Sequence, residues 1–300
     1  MDVIGELAAL AAAFCWTLSP VLYKVALSDA KPISANISRC VSTTIILFVF
    51  LGASGKLWNL ATLPMDSLVL AVLSGVVGLC LGDTMFLLSL ALIGVSKAVP
   101  LVNVYPMFTT FFAILFLDEP FTSLLLLGTV LIIVGIWLIS PERSGSSDVT
   151  RSILFKGVFV ALSTALVWSV SIIFMNQALE FSQMAAFDSA LVVNAARMSG
   201  TTLLFLALSP LIDRRFHFTK LKRKTWITLA LGGIVGLIFG WVLLAVSLSY
   251  TEASRAVPIS SVSPLFATLV GAFFLREKVT VKIFVGSILI VLGTSIMFIL

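Results

Sequence analysis

The chain contains the same sequence unit twice, and this repeat constrains the fold more than any other feature. Gly75–Ile139 aligns without a gap with Gly233–Met297. The segment Ser96–Pro100 aligns with Ser254–Pro258, and about 23 of the roughly 65 aligned pairs are identical. Two unrelated segments of this composition would share about a tenth of their residues. The second part of the chain is therefore a copy of the first.

Long apolar segments recur along the whole chain. Hydrophobic residues make up 60% of the sequence and charged residues 11%, whereas soluble proteins carry about 25% charged residues. A segment of about 20 apolar residues can cross the hydrocarbon core of a bilayer. The sequence therefore predicts an all-α membrane protein with ten transmembrane helices, at residues 3–26, 34–52, 67–91, 96–117, 122–140, 153–177, 187–209, 226–249, 254–275 and 280–299.

The repeat divides these predicted helices into two sets of five. We expect a first five-helix repeat at residues 1–140, a linker at 141–152 and a second repeat at 153–300. The first helices of the two sets match through Trp16 and Trp168, and the second helices through Arg39 and Arg197. Because five is odd, the second copy must enter the membrane from the opposite side. The pattern predicts an inverted repeat, the architecture behind alternating access in many transporters.

Basic residues in the loops predict the orientation in the membrane. Basic loops face the cytoplasm in most membrane proteins. Lys56 and Arg255 fall on one side. We therefore expect a multi-pass protein of the cell membrane with both termini outside, because the other side carries Lys24, Lys31, Lys97, Arg143, Arg151, Lys156, Arg214, Arg215, Lys220, Lys222, Arg223, Lys224, Arg276, Lys278 and Lys282.

The tandem halves share several further positions. Each has a Trp in its first helix, an Arg in its second and a Pro pair in its fourth, and Glu119-x-x-Thr122 and Glu277-x-x-Thr280 precede the fifth. Over nearly its whole length the chain resembles the EamA-type family of the drug/metabolite transporter superfamily. The resemblance implies a ten-helix carrier, often a metabolite exporter, with a central cavity between the halves. Members are usually drawn with both termini in the cytoplasm, the reverse of what the loop charges predict.

Proline pairs interrupt the fourth helix of each repeat. Pro100 and Pro106 stand in the first copy and Pro258 and Pro264 in the second, and each proline removes a backbone donor and bends its helix. The freed carbonyls are tolerated in a membrane only against protein or a wet cavity. The polar residues between the prolines, Asn103, Tyr105, Ser261 and Ser263, fit a substrate-binding wall with the prolines as hinges. The alternative is a bent helix whose polar groups are satisfied internally.

Two further pairs of residues are candidates for substrate contact. Lys97 and Arg255 open the fourth and ninth helices and could hold a carboxylate or phosphate, or could extend to the lipid headgroups instead. Trp16 and Trp168 lie about mid-span, which favours cavity lining over the aromatic belt at the membrane surface. If the two cations bind substrate, the substrate is an amino acid or a related organic anion.

Charges inside the membrane are functional candidates by default. Arg39 and Asp83 lie at similar predicted depths, about 8 and 12 Å from the same membrane surface. We therefore predict an ion pair between them. In the second copy Trp241 replaces Asp83, so Arg197 would meet an indole face. The lone Asp83 could couple transport to a gradient, or the pair could only hold two helices together.

Two other functions compete with a metabolite carrier. Gly52–Gly55 matches the G-x-S-G motif of an intramembrane serine protease, but Ser54 and His217 are predicted on opposite sides of the membrane, and a Ser–His pair needs contact within about 3 Å. A flippase or exporter of lipids or amphipathic drugs could use the same fold. No phosphate-binding loop is present. We expect a small-molecule substrate and lipid as partners, no cofactor, no metal, no nucleic acid, and a monomer or homodimer.

Overall fold

The computed structural model describes residues 3–105, 107–108, 111–112, 123–139, 148–213, 216–250 and 259–297, and the regular structure in these ranges is helical. Pro106, Glu119, Arg255 and Pro258 lie outside the described residues. The helices are α1 (Val3–Ala26), α2 (Pro32–Ala53), α3 (Met65–Ile93), α4 (Val95–Val102), α5 (Ser123–Ile139), α6 (Asp148–Phe181), α7 (Ala186–Ile212), α8 (residues 223–250), α9 (Ser263–Phe274) and α10 (Val281–Met297).

The helices suit a membrane rather than water. Among the described residues, α1, α2, α3, α6, α7 and α8 are long and apolar enough to cross a bilayer. Large apolar side chains remain on the outside of the bundle, where Phe159 is 71% exposed and Phe273 79% exposed. In lipid such side chains need no polar cover. The predicted all-α membrane protein is confirmed at this level.

Helices α4 and α9 are interrupted at equivalent positions of the two copies. Helix α4 ends at Val102, a turn occupies residues 103–104, and helix resumes at Tyr105. Residues 259–260 are helical, a turn occupies 261–262, and α9 begins at Ser263. Pro100 lies inside α4, and the carbonyl of Ser96, one turn before it, accepts a 3.4 Å hydrogen bond from Thr268 Oγ1. The carbonyl freed by the proline is thus satisfied by α9.

Helices α3 and α8 widen into π-helix at equivalent positions. The wide segments are Gly75–Gly82 in α3 and Ile234–Phe239 in α8. Their extra turn width leaves carbonyls for side chains of neighbouring helices. Asn36 Nδ2 donates to the Leu79 carbonyl at 2.8 Å, and Asn194 Nδ2 donates to the Leu237 carbonyl at 2.9 Å. Each second helix is thereby fixed to the π-helical segment of its own repeat.

Glycines at the ends of these wide segments, Gly82 and Gly240, allow helices of the other repeat to approach closely. A Cβ on Gly82 would lie 2.7 Å from Trp168 Cδ1, and a Cβ on Gly240 would lie 2.5 Å from Trp16 Nε1. The small-residue spacing therefore packs α3 against α6 and α8 against α1. This packing positions both tryptophans beside the π-helical segments.

One face of the bundle, which we call the basic face, is formed by the ends of α1, α3 and α7 and the starts of α2, α4 and α8. Lys24 Nζ donates to the Leu90 carbonyl at 2.6 Å, and Ser34 Oγ donates to Asp213 Oδ1 at 2.8 Å. The face opposite to it carries the ion pair between Lys56 and Asp188. Both faces are thus held by polar contacts between helix ends.

Helices α5 and α10 pack side by side in antiparallel directions. A Cβ on Gly135 would lie 2.7 Å from the Gly286 carbonyl, and a Cβ on Gly293 would lie 2.6 Å from the Gly128 carbonyl. Backbone approach this close requires glycine at both positions. The two helices form a pair beside the helices that enclose the cavity described next.

Candidate functional site

A cavity of about 170 Å³ lies between α1, α2, α3, α4, α6, α7 and α8. This volume holds roughly ten waters, or a small solute. Both halves of the chain contribute to its wall. It is lined by the aromatic residues Trp16, Tyr23, Phe86, Tyr105, Trp168 and Trp241, the charged residues Arg39, Asp83 and Arg197, the polar residues Ser19, Asn103 and Ser171, and the remaining residues Pro20, Leu79, Val99, Val102, Ile172, Gly236, Leu237 and Leu244.

Arg39 and Asp83 form an ion pair at the cavity wall. The Arg39 side chain is 2% exposed and that of Asp83 6% exposed, and a guanidinium nitrogen contacts Asp83 Oδ2. The same nitrogen donates to Asn36 Oδ1 at 2.6 Å, and the guanidinium lies over the Tyr23 ring at 4.9 Å. The charges of this pair compensate each other, and hydrogen bonds support both partners.

Asp83 also connects the two halves. Trp168 Nε1 on α6 donates to Asp83 Oδ1 at 2.9 Å, so the two carboxylate oxygens bond to different halves of the chain. The repeat-related Trp16 instead donates to the Gly236 carbonyl at 3.2 Å. The repeats are therefore similar in backbone but different in charge at this point.

Arg197 has no acidic partner among the described residues. Its terminal nitrogens donate to Ser171 Oγ at 3.2 Å and Met175 Sδ at 3.5 Å, and the guanidinium lies 5.7 Å from the centre of the Trp241 ring. Its Nε has no hydrogen-bond partner, although the residue is only 5% exposed. The second half thus presents a buried cation to the cavity that no carboxylate of the described residues contacts directly, although Asp83 lies within electrostatic reach.

The structure does not bring every predicted site residue to the cavity. Among the described residues, Lys97, Ser261 and Ser263 are not part of its wall. Lys97 lies in the first turn of α4, within electrostatic reach of Glu277. The Ser263 carbonyl accepts a 3.3 Å hydrogen bond from Thr17 Oγ1, because α9 packs against α1 there. The predicted hinges Pro100 and Pro264 are buried beside the helix breaks instead of lining the cavity.

Sequence reasoning missed several wall residues. Ser19 donates to the Gly232 carbonyl at 3.0 Å, and Ser171 donates to the Ser74 carbonyl at 2.8 Å. Both serines lie three residues after the tryptophan of their own first helix, one helical turn away. That shared spacing in the two copies was the signal that could have identified them.

The Ser54–His217 pair of the protease hypothesis is not formed. Ser34, at the start of α2, bonds to Asp213, whose carboxylate also accepts the Phe218 backbone N–H at 2.8 Å. His217 is the residue before Phe218, whereas Ser54 follows the last residue of α2, about 30 Å further along the helix. The two side chains therefore lie at opposite faces of the bundle.

The helices and the cavity define a multi-pass helical membrane protein with a charged, aromatic cavity inside it. A sequence model of the EamA-like transporter family matches residues 3–140 and residues 155–299. The chain therefore belongs to the EamA-like transporter family, which confirms the resemblance. It is a membrane transporter, and its family implies a small-molecule substrate and membrane lipid as partners.

The chain is similar over nearly its whole length to one curated protein and to one solved structure. An uncharacterized transporter of Archaeoglobus fulgidus is 24% identical over 291 residues, which cover 96% of this chain and 95% of that protein. A solved crystal structure of a protein with 16% identity has a TM-score of 0.66 and covers 99% of this chain and 97% of that one. At this identity the second comparison shows the fold alone.

Proposed function

We propose that the chain is a secondary transporter that moves a small metabolite through the cavity between its halves by alternating access. The observation that carries this proposal is the composition of the wall, to which both halves contribute charged and aromatic side chains. Buried charges inside a membrane bundle mark pathways for polar substrates. A site at the interface of two repeats is also where such carriers bind their cargo.

We propose further that the two halves are inverted five-helix repeats, which makes ten transmembrane helices. Reciprocal contacts support this: Trp168 packs on Gly82 and Trp16 packs on Gly240. Thr44 and its own repeat counterpart Thr202 share a hydrogen bond of 2.8 Å between their hydroxyls. A residue meets its own counterpart only near an axis of approximate two-fold symmetry. With five helices in each half, that axis lies in the membrane plane.

Contacts between α4 and α9 support a conformation that is closed at the basic face. Glu277, which follows α9, accepts the Val95 backbone N–H at 2.7 Å and the Ser96 N–H at 2.8 Å. A Cβ on Gly271 would lie 3.3 Å from Ser96 Cβ. These contacts must separate when the cavity opens to the basic face. The breaks in α4 and α9 are the places where we expect the bending.

The sequence arguments and the resemblance support our proposals for direction, orientation and cargo. The basic face is cytoplasmic by its loop charges, transport is export, and the cargo is an amino acid or a related organic anion. Asn103, Tyr105, Trp16 and Trp168 line the cavity and contact the cargo in this proposal. Asp83 is the candidate for coupling to a proton gradient. Unchanged pH dependence of transport in Asp83→Asn would eliminate that role.

A reversible disulfide across the closed contact tests the transport proposal. In a background with Cys15, Cys40 and Cys80 replaced by alanine, Ser96→Cys and Gly271→Cys would place two cysteines near disulfide geometry. The variant is reconstituted into liposomes loaded with a panel of radiolabelled amino acids and organic acids. We expect efflux of at least one compound, its loss after oxidation, and its return after reduction.

Each single-cysteine variant serves as the matched control, because it cannot form the intramolecular bond. Full efflux from vesicles in which the disulfide is shown to have formed would contradict alternating access. Fluorescent lipid scrambling in the same vesicles, without efflux of any solute, would contradict the metabolite carrier and favour the flippase alternative.

A further inference from the structure

We propose that Arg197 binds the carboxylate of the transported molecule, and that the substrate is a monoanionic compound with an apolar or aromatic body. This inference rests on the proposed transport function and adds the substrate class and the anchoring residue. Arg197 takes the role that the sequence suggested for Lys97 and Arg255. The first of these does not line the cavity, and the second lies outside the described residues.

The charge balance of the cavity wall is the first argument. Arg39 and Asp83 compensate each other, which leaves Arg197 as a surplus positive charge among the described wall residues. Arginine stays protonated in proteins, so the charge cannot be removed by titration. A buried ion without a counter-charge is strongly unfavourable. An anion in the cavity would compensate it.

The hydrogen bonds of Arg197 are the second argument. Its neighbours are a serine hydroxyl at 3.2 Å and a thioether sulfur at 3.5 Å, and its Nε has no partner. A guanidinium binds a carboxylate best through two parallel N–H bonds, and the Nε edge offers one such pair. The repeat-related Arg39 already uses its charge on Asp83. Arg39 Nε also has no hydrogen-bond partner, but the charge of Arg39 is compensated by Asp83, so the uncompensated charge lies in the second half.

The rest of the wall indicates the body of the ligand. Trp241 lies beside Arg197, and Trp16 contacts Trp241 edge-on with ring centres 6.0 Å apart. Trp168 and Tyr105 form a similar edge contact at 6.4 Å. Aromatic walls of this kind bind apolar or planar groups. A single negative charge balances a single surplus cation, which favours a carboxylate over a doubly charged phosphate.

Benzoate and its neutral amide, benzamide, are the probes that isolate the charge. Binding is measured by thermal unfolding of the purified protein in lipid nanodiscs, with chloride and ionic strength held constant. We expect benzoate to raise the unfolding temperature of the wild type more than benzamide does. In Arg197→Gln the apparent benzoate affinity should fall about tenfold or more, the loss typical of one charge-assisted bond. Arg197→Lys should retain part of the preference.

Lys278→Gln is the matched control, because Lys278 is exposed and the change removes one positive charge away from the cavity. It should keep the full preference for benzoate. The inference is overturned if Arg197→Gln keeps the preference, if Lys97→Gln abolishes it, or if the wild type does not distinguish the probes. These results would leave the disulfide experiment intact, so a failed substrate class is distinguishable from a failed transport mechanism.

Discussion

Replacing the two repeat-related arginines by methionine should affect the stability of the protein differently: Arg39→Met should lower it, and Arg197→Met should not. Arg39→Met leaves Asp83 buried, with Trp168 as its remaining donor among the bonds described above. Loss of one partner of a buried ion pair costs about 3–5 kcal/mol. Arg197→Met instead removes a buried cation that has no acidic partner among the described residues. Its free energy of unfolding should be unchanged or higher by up to about 4 kcal/mol.

The assay is reversible unfolding in detergent micelles by titration with sodium dodecyl sulfate, without added carboxylate. Methionine keeps much of the aliphatic volume of arginine, so packing changes little. The double variant Arg39→Met/Asp83→Leu is the control, and it should recover most of the loss because no unpaired charge remains. Equal losses for the two arginine variants would refute the reasoning.

Two further predictions concern contacts between the halves. Gly78→Ala should lower the free energy of unfolding by about 1–3 kcal/mol, because its Cβ would lie 2.8 Å from Ser171 Cβ. Gly52→Ala should not lower it, because nothing lies within 4 Å of a Cβ at that position. An equal effect in both variants would contradict this. Trp168→Phe should cost about 1–3 kcal/mol in chemical unfolding, because Asp83 loses a buried donor. A change below measurement error would show that the bond is unimportant.

The sequence predicted the helices and the depth of the charges well. The apolar run 34–52 corresponds to α2 at Pro32–Ala53, and the run 67–91 corresponds to α3 at Met65–Ile93. The predicted helix bounds also fix the depth of each residue in the membrane, because the rise per residue along a helix is constant. The same argument placed Arg39 at the level of Asp83, where the ion pair is found. Depth along a straight helix is a local property and can be read from one sequence.

Rotation about the helix axis could not be predicted in the same way. A helix that is apolar all round has no polar stripe that shows which side faces the cavity. The sequence therefore could not show that Ser263, at the start of α9, contacts α1 instead of the cavity. Glu277 precedes α10 in the sequence, but its carboxylate bonds to the start of α4. Such partners depend on the three-dimensional packing of distant segments.

The most direct test of the central claim is the side from which the cavity can be reached. A cysteine replacing Leu244, a wall residue, is added to the Ser96→Cys/Gly271→Cys variant that lacks the native cysteines. In oriented vesicles, labelling of position 244 by a membrane-impermeant thiol reagent is read by peptide mass spectrometry, which separates it from labelling at positions 96 and 271. While the disulfide between positions 96 and 271 is intact, we expect labelling of position 244 only from the face opposite the basic face. After reduction, labelling from both faces should appear. Labelling from the basic face while the disulfide is intact would contradict a cavity that opens alternately to the two sides.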